Sequence, residues 1–204
     1  MKINLKSLLV TILIMAGNVY ATNATLKSNP NDIKIFEETH KCINCNLVSV
    51  GGFSLLGSFK NFDGSVLSGS NLTNASVGSI GGLNNLWYGS NFDNAIMIEA
   101  RFYGALDNST FVGTNLQRAK LSSLNQVNYV NFINADLSGA DLSNTIFTYS
   151  NFTDAKLDGA NLYGANLCHA VITEEQINSS QIHACAEKPD CSGKYPFADG
   201  RPCS

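Results

Sequence analysis

The sequence predicts an all-β solenoid, and three observations carry that prediction. The first is a five-residue rhythm, clearest in residues 131–170. There a large apolar residue recurs at Phe132, Leu137, Leu142, Phe147, Phe152, Leu157, Leu162 and Leu167. The second is a small or β-branched residue two positions earlier each time: Val130, Ala135, Ala140, Thr145, Ser150, Ala155, Ala160 and Ala165. The third is the remainder of each unit, rich in Asn, Asp, Ser, Gly and Thr, which suit turns and solvent. An amphipathic helix repeats at 3.6 residues and a flat strand at 2, so neither holds this phase. A fixed short period marks a chain of stacked units, none of which buries its face alone.

Residues 1–21 read as a secretory signal. Lys2 and Lys6 form a basic start, Leu8 to Ala16 is a largely apolar run, and Val19-Tyr20-Ala21 offers a small-residue cleavage site before Thr22. An uncleaved anchor would need a longer apolar run, about 20 residues. Residues 22–45 form an N-terminal cap segment. It is polar at first, then carries Ile33, Ile35 and Phe36, and a short helix or cap strand is expected from Asp32 to Thr39.

Residues 46–172 carry the repeats. Extended backward, the phase gives centres at Phe62, Leu67, Leu72, Val77, Trp87, Phe92, Met97 and Phe102. Leu106, Phe111, Leu116 and Leu121 come one residue early, and Val127 restores the phase. With Leu47, Gly52, Gly57 and Gly82 there are 26 units, 23 with apolar centres. The three glycine centres leave the early register open, with Phe53, Phe59 or Leu83 as alternative inward residues. In extended chain, residues two apart share a side, so the small residue and the following Leu or Phe both point inward. Burying each large side chain is worth roughly 1.5–3 kcal/mol, which offsets the ordering cost of a chain with little helix.

The units ADLSGADLSN from Ala135 and AKLDGANLYGANLCHA from Ala155 resemble the pentapeptide repeat family, whose unit reads A(D/N)LXX. That resemblance implies a right-handed quadrilateral β-helix with four units per coil, hence about 6.5 coils and a rod about 30 Å long at the usual strand spacing.

Residues 173–204 are a C-terminal helix and cysteine-rich tail. Thr173-Glu174-Glu175-Gln176 fits a capping box, so a helix is expected from Glu174 to about Ala186, ending before Pro189. It would cover Leu162, Leu167 and Ile172. Six cysteines suit an exported, oxidised protein. Cys42 and Cys45 precede the first coil, and Cys168, Cys185, Cys191 and Cys203 cluster at the far end. The partition favours Cys42–Cys45 and two bridges among the other four, Cys185–Cys203 included. Open solenoid ends expose unpaired backbone and need such caps.

Candidate chemistry is sparse. Cys42-Ile-Asn-Cys45 has redox-motif spacing but lacks a βαβ context. Cys168, His169, His183 and Cys185 have donor types for zinc, although oxidising export favours disulfides. Asp136 and Asp141 occupy outward repeat positions, and Glu174 and Glu175 suit a helix start. No catalytic constellation, phosphate loop or nucleotide fingerprint is present, so no cofactor, metal or enzymatic activity is expected. The Asn-x-Ser/Thr sequons at Asn71, Asn74, Asn108 and Asn151 follow from composition. The phase slips near 102–106 and 121–127 bracket the internal cations Arg101, Arg118 and Lys120, with Tyr103 and Tyr129 nearby. They mark either a bulge that rejoins register or a candidate interaction loop.

The chain carries 13 basic and 16 acidic side chains. Residues 46–172 hold 5 and 8, too balanced for a nucleic-acid surface. The expected function is an exported, periplasmic or secreted, non-enzymatic interaction or structural module with an unknown protein partner and no stable membrane insertion. A host-directed effector is the alternative. A DNA-mimic topoisomerase inhibitor, which some members of the resembled family are, fits less well with a near-neutral rod and an export signal.

Overall fold

The computed structural model describes residues 28–49, 64–77, 87–124 and 127–180. It opens with α1 (Pro30–Thr39), continues through the solenoid, and ends with α2 (Glu174–Ser179). The two-residue strands β1 (Ser76–Val77) and β2 (Arg101–Phe102) pair in parallel, and the other rungs are single parallel bridges. Single bridges are what a five-residue unit allows, because the chain turns a corner before a second residue can pair.

The bridges define four sides. Rungs on the first side fall at Lys41, Val66, Asn91, Thr110, Asn131, Asn151 and Val171, so successive coils span 25, 25, 19, 21, 20 and 20 residues. The second side runs Asn46, Asn71, Ile96, Asn115, Asp136 and Lys156. The third runs Ser76, Arg101, Lys120, Asp141 and Asn161, and Ile146 and Asn166 mark the fourth. The first rung thus lies at Lys41, five residues before the repeats expected from sequence. Four units per coil holds for the last two coils, whereas the first two each carry five residues more.

Each rung but the last is followed by a buried centre; Ile172, after Val171, is half-buried. The first side's centres Phe92, Phe111, Phe132 and Phe152 stack with ring centroids 4.7, 5.2 and 5.0 Å apart. The expected core residues from Leu137 to Leu167 are all buried, with their small partners; Ala165, next to the open end, is only half-buried.

Asn or Asp precedes a centre because its side chain closes the corner. Oδ1 accepts the backbone N–H two residues on, as from Asn115 to Gln117, Asn131 to Ile133, Asp141 to Ser143 and Asn161 to Tyr163. That Asx turn satisfies an N–H that faces away from the ladder. Among the described residues, the corners outside 102–106 are four-residue turns whose third residue is left-handed, which explains Gly139, Gly159 and Gly164 and the asparagines at 94, 134 and 144.

The turns close in two ways. Below an alanine the turn closes itself, as Ala140 N–H to Leu137 C=O at 2.9 Å. Below Ser70, Thr145 and Ser150 the hydroxyl of the next coil enters the turn instead, whereas Ser109 and Thr114 donate to turns that also close themselves. Ser150 Oγ accepts from Val130 N and donates to Val127 C=O, and Thr145 does the same between Leu124 and Leu121. Ser70 does so between Cys45 and Cys42. The small column is therefore a hydrogen-bonding column as well as a spacer.

Both ends are capped. In α1, Asn29 is the N-cap, Phe36 is fully buried and stacks on Trp87 at 6.3 Å, and Asp32 accepts from Asn46 N. At the far end the Thr173–Gln176 capping box forms as expected, but α2 stops at Ser179. Ser179 and Ser180 donate their hydroxyls to the carbonyls of Gln176 and Ile177, a local bond that competes with helix. Residues beyond 180 lie outside those described. No α2 residue is fully buried, and hydrogen bonds tie this cap to the coil beneath it. Gln176 Nε2 donates to the carbonyls of Phe152 and Ala155, and Gly159 N–H donates to Ser179 C=O. Among the described residues, no helix is long and apolar enough to cross a membrane.

Candidate functional site

The register departures collect at one corner. From first-side to third-side rungs the step is always ten residues: 66 to 76, 91 to 101, 110 to 120, 131 to 141 and 151 to 161. Fourth-side centres likewise precede the next first-side centre by five, as Trp87 precedes Phe92 and Leu106 precedes Phe111. From Val66 onward, all variation lies between third- and fourth-side centres. Val77 to Trp87 is ten residues, Phe102 to Leu106 four, Leu121 to Val127 six, Leu142 to Phe147 five and Leu162 to Leu167 five. One corner of the rod absorbs every insertion and deletion in this part, and the ladders on the other sides continue unbroken. Of the early alternatives, Phe53, Phe59 and Leu83 lie outside the described residues.

The third side, which leads into that corner, carries the cations. Arg101 and Lys120 are adjacent rungs, both exposed, with Asp141 as the next rung. Arg118 stands on the corner between second and third sides, where it pairs with Glu99 of the coil before at 2.9 Å. The pair is 59% and 47% exposed, so it is worth about 0–1 kcal/mol. Tyr103 lies one residue past the Phe102 centre, at the start of the variable corner, half-buried. Arg101, Lys120, Arg118 and Tyr103 thus share one side and its two edges. Tyr129 does not join them: it follows the fourth-side centre Val127 and occupies the corner between the fourth and first sides. Sequence proximity had grouped it with the cations because the slip at 121–127 separates two sides, not two positions on one.

The carboxylates Asp136 and Asp141 sit on different sides and each caps its own turn. Burial by itself would raise the Asp136 pKa. Hydrogen bonds from Ser138 and Gln117, aided by the Lys156 charge, outweigh that and hold it below the usual value of 3.8. Cys42 and Cys45 are joined across the Ser70-bridged turn, with Cα atoms 5.6 Å apart. Cys168 is disulfide-bonded to a residue outside those described. Cys185, Cys191, Cys203 and His183 also lie outside them. Among the described residues no three His, Cys, Asp or Glu side chains cluster as metal ligands.

Sequence reasoning missed one column. Tyr129, Tyr149 and His169 stack in successive coils, centroids 5.0 and 4.7 Å apart and planes within 3° and 15°. All three hold a left-handed φ, at a place where Gly89 and Asn108 serve the preceding coils. The signal was legible: rings spaced 20 residues apart, one coil, in a slot where Gly or Asn is the rule.

A family profile for pentapeptide repeats, in eight copies, matches residues 135–174. Residues 135–174 are thus similar to pentapeptide repeats, as their sequence suggests. The four-sided coil of parallel rungs agrees with the quadrilateral β-helix expected of pentapeptide repeats. Similar solved structures include a pentapeptide repeat protein from the cyanobacterium Cyanothece, at 21% identity and TM-score 0.30, covering 70% of this chain and 98% of that one. QnrB1, a plasmid-mediated fluoroquinolone resistance protein, is 13% identical with TM-score 0.45, covering 69% and 84%. HetL, a protein involved in heterocyst differentiation regulation from the cyanobacterium Nostoc, is 16% identical with TM-score 0.21, covering 71% and 94%. Comparison with curated protein sequences found no match.

Proposed function

We propose that this protein is an exported, non-enzymatic pentapeptide repeat interaction module, stapled at its ends by disulfides. It engages a protein partner through the third side and the variable corner. The observation that carries this reading is the coincidence of the exposed Arg101–Lys120 column with the one corner that absorbs insertions and deletions. A corner that changes length without disturbing the ladder is where a rod can present new surface at no structural cost. The adjacent cations favour an acidic partner surface, and Tyr103 adds an amphipathic contact beside them. Export rests on the sequence of residues 1–21 and on the cysteine partition.

The test uses the purified mature protein as bait for the exported fraction of the source cells. Reversing both charges, Arg101→Glu with Lys120→Glu, should abolish capture of the partner. Asp154→Lys, on the first–second corner, should leave capture intact. Equal capture by both variants would place the contact elsewhere on the rod. N-terminal sequencing of the exported protein should give Thr22; intact Met1 would reject export by this route.

A further inference from the structure

The Tyr129–Tyr149–His169 column takes no part in the proposed contact surface, yet it stands out chemically. A ring-bearing residue with left-handed φ is uncommon and strained, and here three occur one above another. The backbone holds them in place: Tyr129 N–H donates to Thr148 C=O and Tyr149 N–H to Cys168 C=O, each at 3.0 Å. The tyrosine rings lie parallel within 3° at 5.0 Å, and 58% and 48% of the two residues are exposed. His169 covers the far face of Tyr149, which leaves Tyr129 as its coupling partner.

We propose that Tyr129 and Tyr149 form an oxidative cross-linking site, in which a peroxide-derived oxidant joins them as an intramolecular dityrosine. Each phenol gives up one electron and its phenolic proton, leaving two phenoxyl radicals. Their ortho ring carbons combine in a new C–C bond, and each ortho hydrogen is lost as a proton while its phenol oxygen is reprotonated. The side chains together lose two hydrogens, and one hydrogen peroxide is reduced to two waters. The stacked rings must pivot so that their ortho edges meet, and their exposure leaves room for that. Proximity decides the outcome, because neighbours held with ring centroids 5.0 Å apart react at a far higher effective concentration than two separate molecules. The product would tie together coils that only their neighbours hold.

The test treats the full chain at low concentration with a haem peroxidase and hydrogen peroxide, with N-acetyltyrosine as a positive control for coupling. Dityrosine fluorescence should rise in the monomer, and peptide mapping should find one linked pair, 129 with 149, short of two hydrogens. Tyr129→Phe and Tyr149→Phe keep the stacked ring and remove the phenol. Each should bring the monomer signal to background, while Tyr163→Phe, on another corner, should leave it unchanged. Cross-links confined to dimers, a linked pair at other tyrosines, persistence in Tyr149→Phe, or no product where N-acetyltyrosine couples would each overturn the proposal.

Discussion

Coils 91–130 and 131–170 hold the same core by different means. The later pair spans 20 residues each, while the earlier pair spans 19 and then 21. Yet the phenylalanine stack passes through both without a break, from Phe92 and Phe111 to Phe132 and Phe152. The difference teaches which part of the unit rhythm is structural. The first and second sides and the start of the third keep step in every coil from Val66 onward, and only the third–fourth corner changes length.

The strongest way to break the comparison is to cut the shared stack. Phe132 packs between Phe111 and Phe152 and meets Phe147 edge-on at 6.0 Å. Phe132→Ala should cost about 3–5 kcal/mol in urea unfolding, and Leu106→Ala beside the shortened corner about 2–3 kcal/mol. A smaller loss at Phe132 than at Leu106 would mean that the two pairs of coils do not share one core.

A sharper test moves the irregularity. One glycine inserted after Asn144 lengthens the tolerant corner of a regular coil and should cost about 1 kcal/mol or less. The same insertion after Asn134 interrupts the first–second corner and should cost about 3 kcal/mol, because it throws every later rung of that coil out of register. Equal losses would show that the corner has no special tolerance.

These tests also separate what the sequence made legible from what it hid. Leu137, Leu142 and Phe147 could be placed inward because a large apolar residue every fifth position has one physical explanation. The early coils could not be placed, since Gly52, Gly57 and Gly82 carry no side chain to mark a face. The deeper gap was in the small residues. Ser70, Ser109, Thr145 and Ser150 looked interchangeable with alanine, because period and size do not show whether a hydroxyl enters the turn below. Tyr103 and Tyr129 looked like neighbours because a one-dimensional slip hides which side of a square a residue is on.

The hydroxyl-bridged turns give the next effect. Ser150→Ala would leave Val130 N–H and Val127 C=O without the bridging hydroxyl in a buried place. It should cost about 1–3 kcal/mol, unless the turn contracts to bond itself as the 137–140 turn does. Amide exchange at Val130 decides between these outcomes: fast exchange means the turn stays open, and slow exchange means it has closed.

The smallest effect concerns the rung at Asp136, where other coils carry asparagine at 46, 71 and 115. Asp136 accepts from Ser138 N at 3.1 Å, Ser138 Oγ at 2.6 Å and Gln117 Nε2 at 2.7 Å, so the folded chain favours its charged form. A carboxyl whose pKa is lower folded than unfolded stabilises the protein above the unfolded value and loses that contribution as pH falls through the folded one. The window therefore opens near 3.8 and extends downward. Asp136→Asn keeps the Oδ1 acceptor for the turn, and Gln117 can present its amide oxygen instead. At neutral pH the variant should match the parent within about 0.5 kcal/mol, since a half-exposed carboxylate is screened by solvent. Below pH 4 the parent should lose stability faster than the variant, by a few tenths of a kcal/mol. Parallel acid limbs would mean that Asp136 is interchangeable with asparagine on every count, and that the turn takes nothing from its charge.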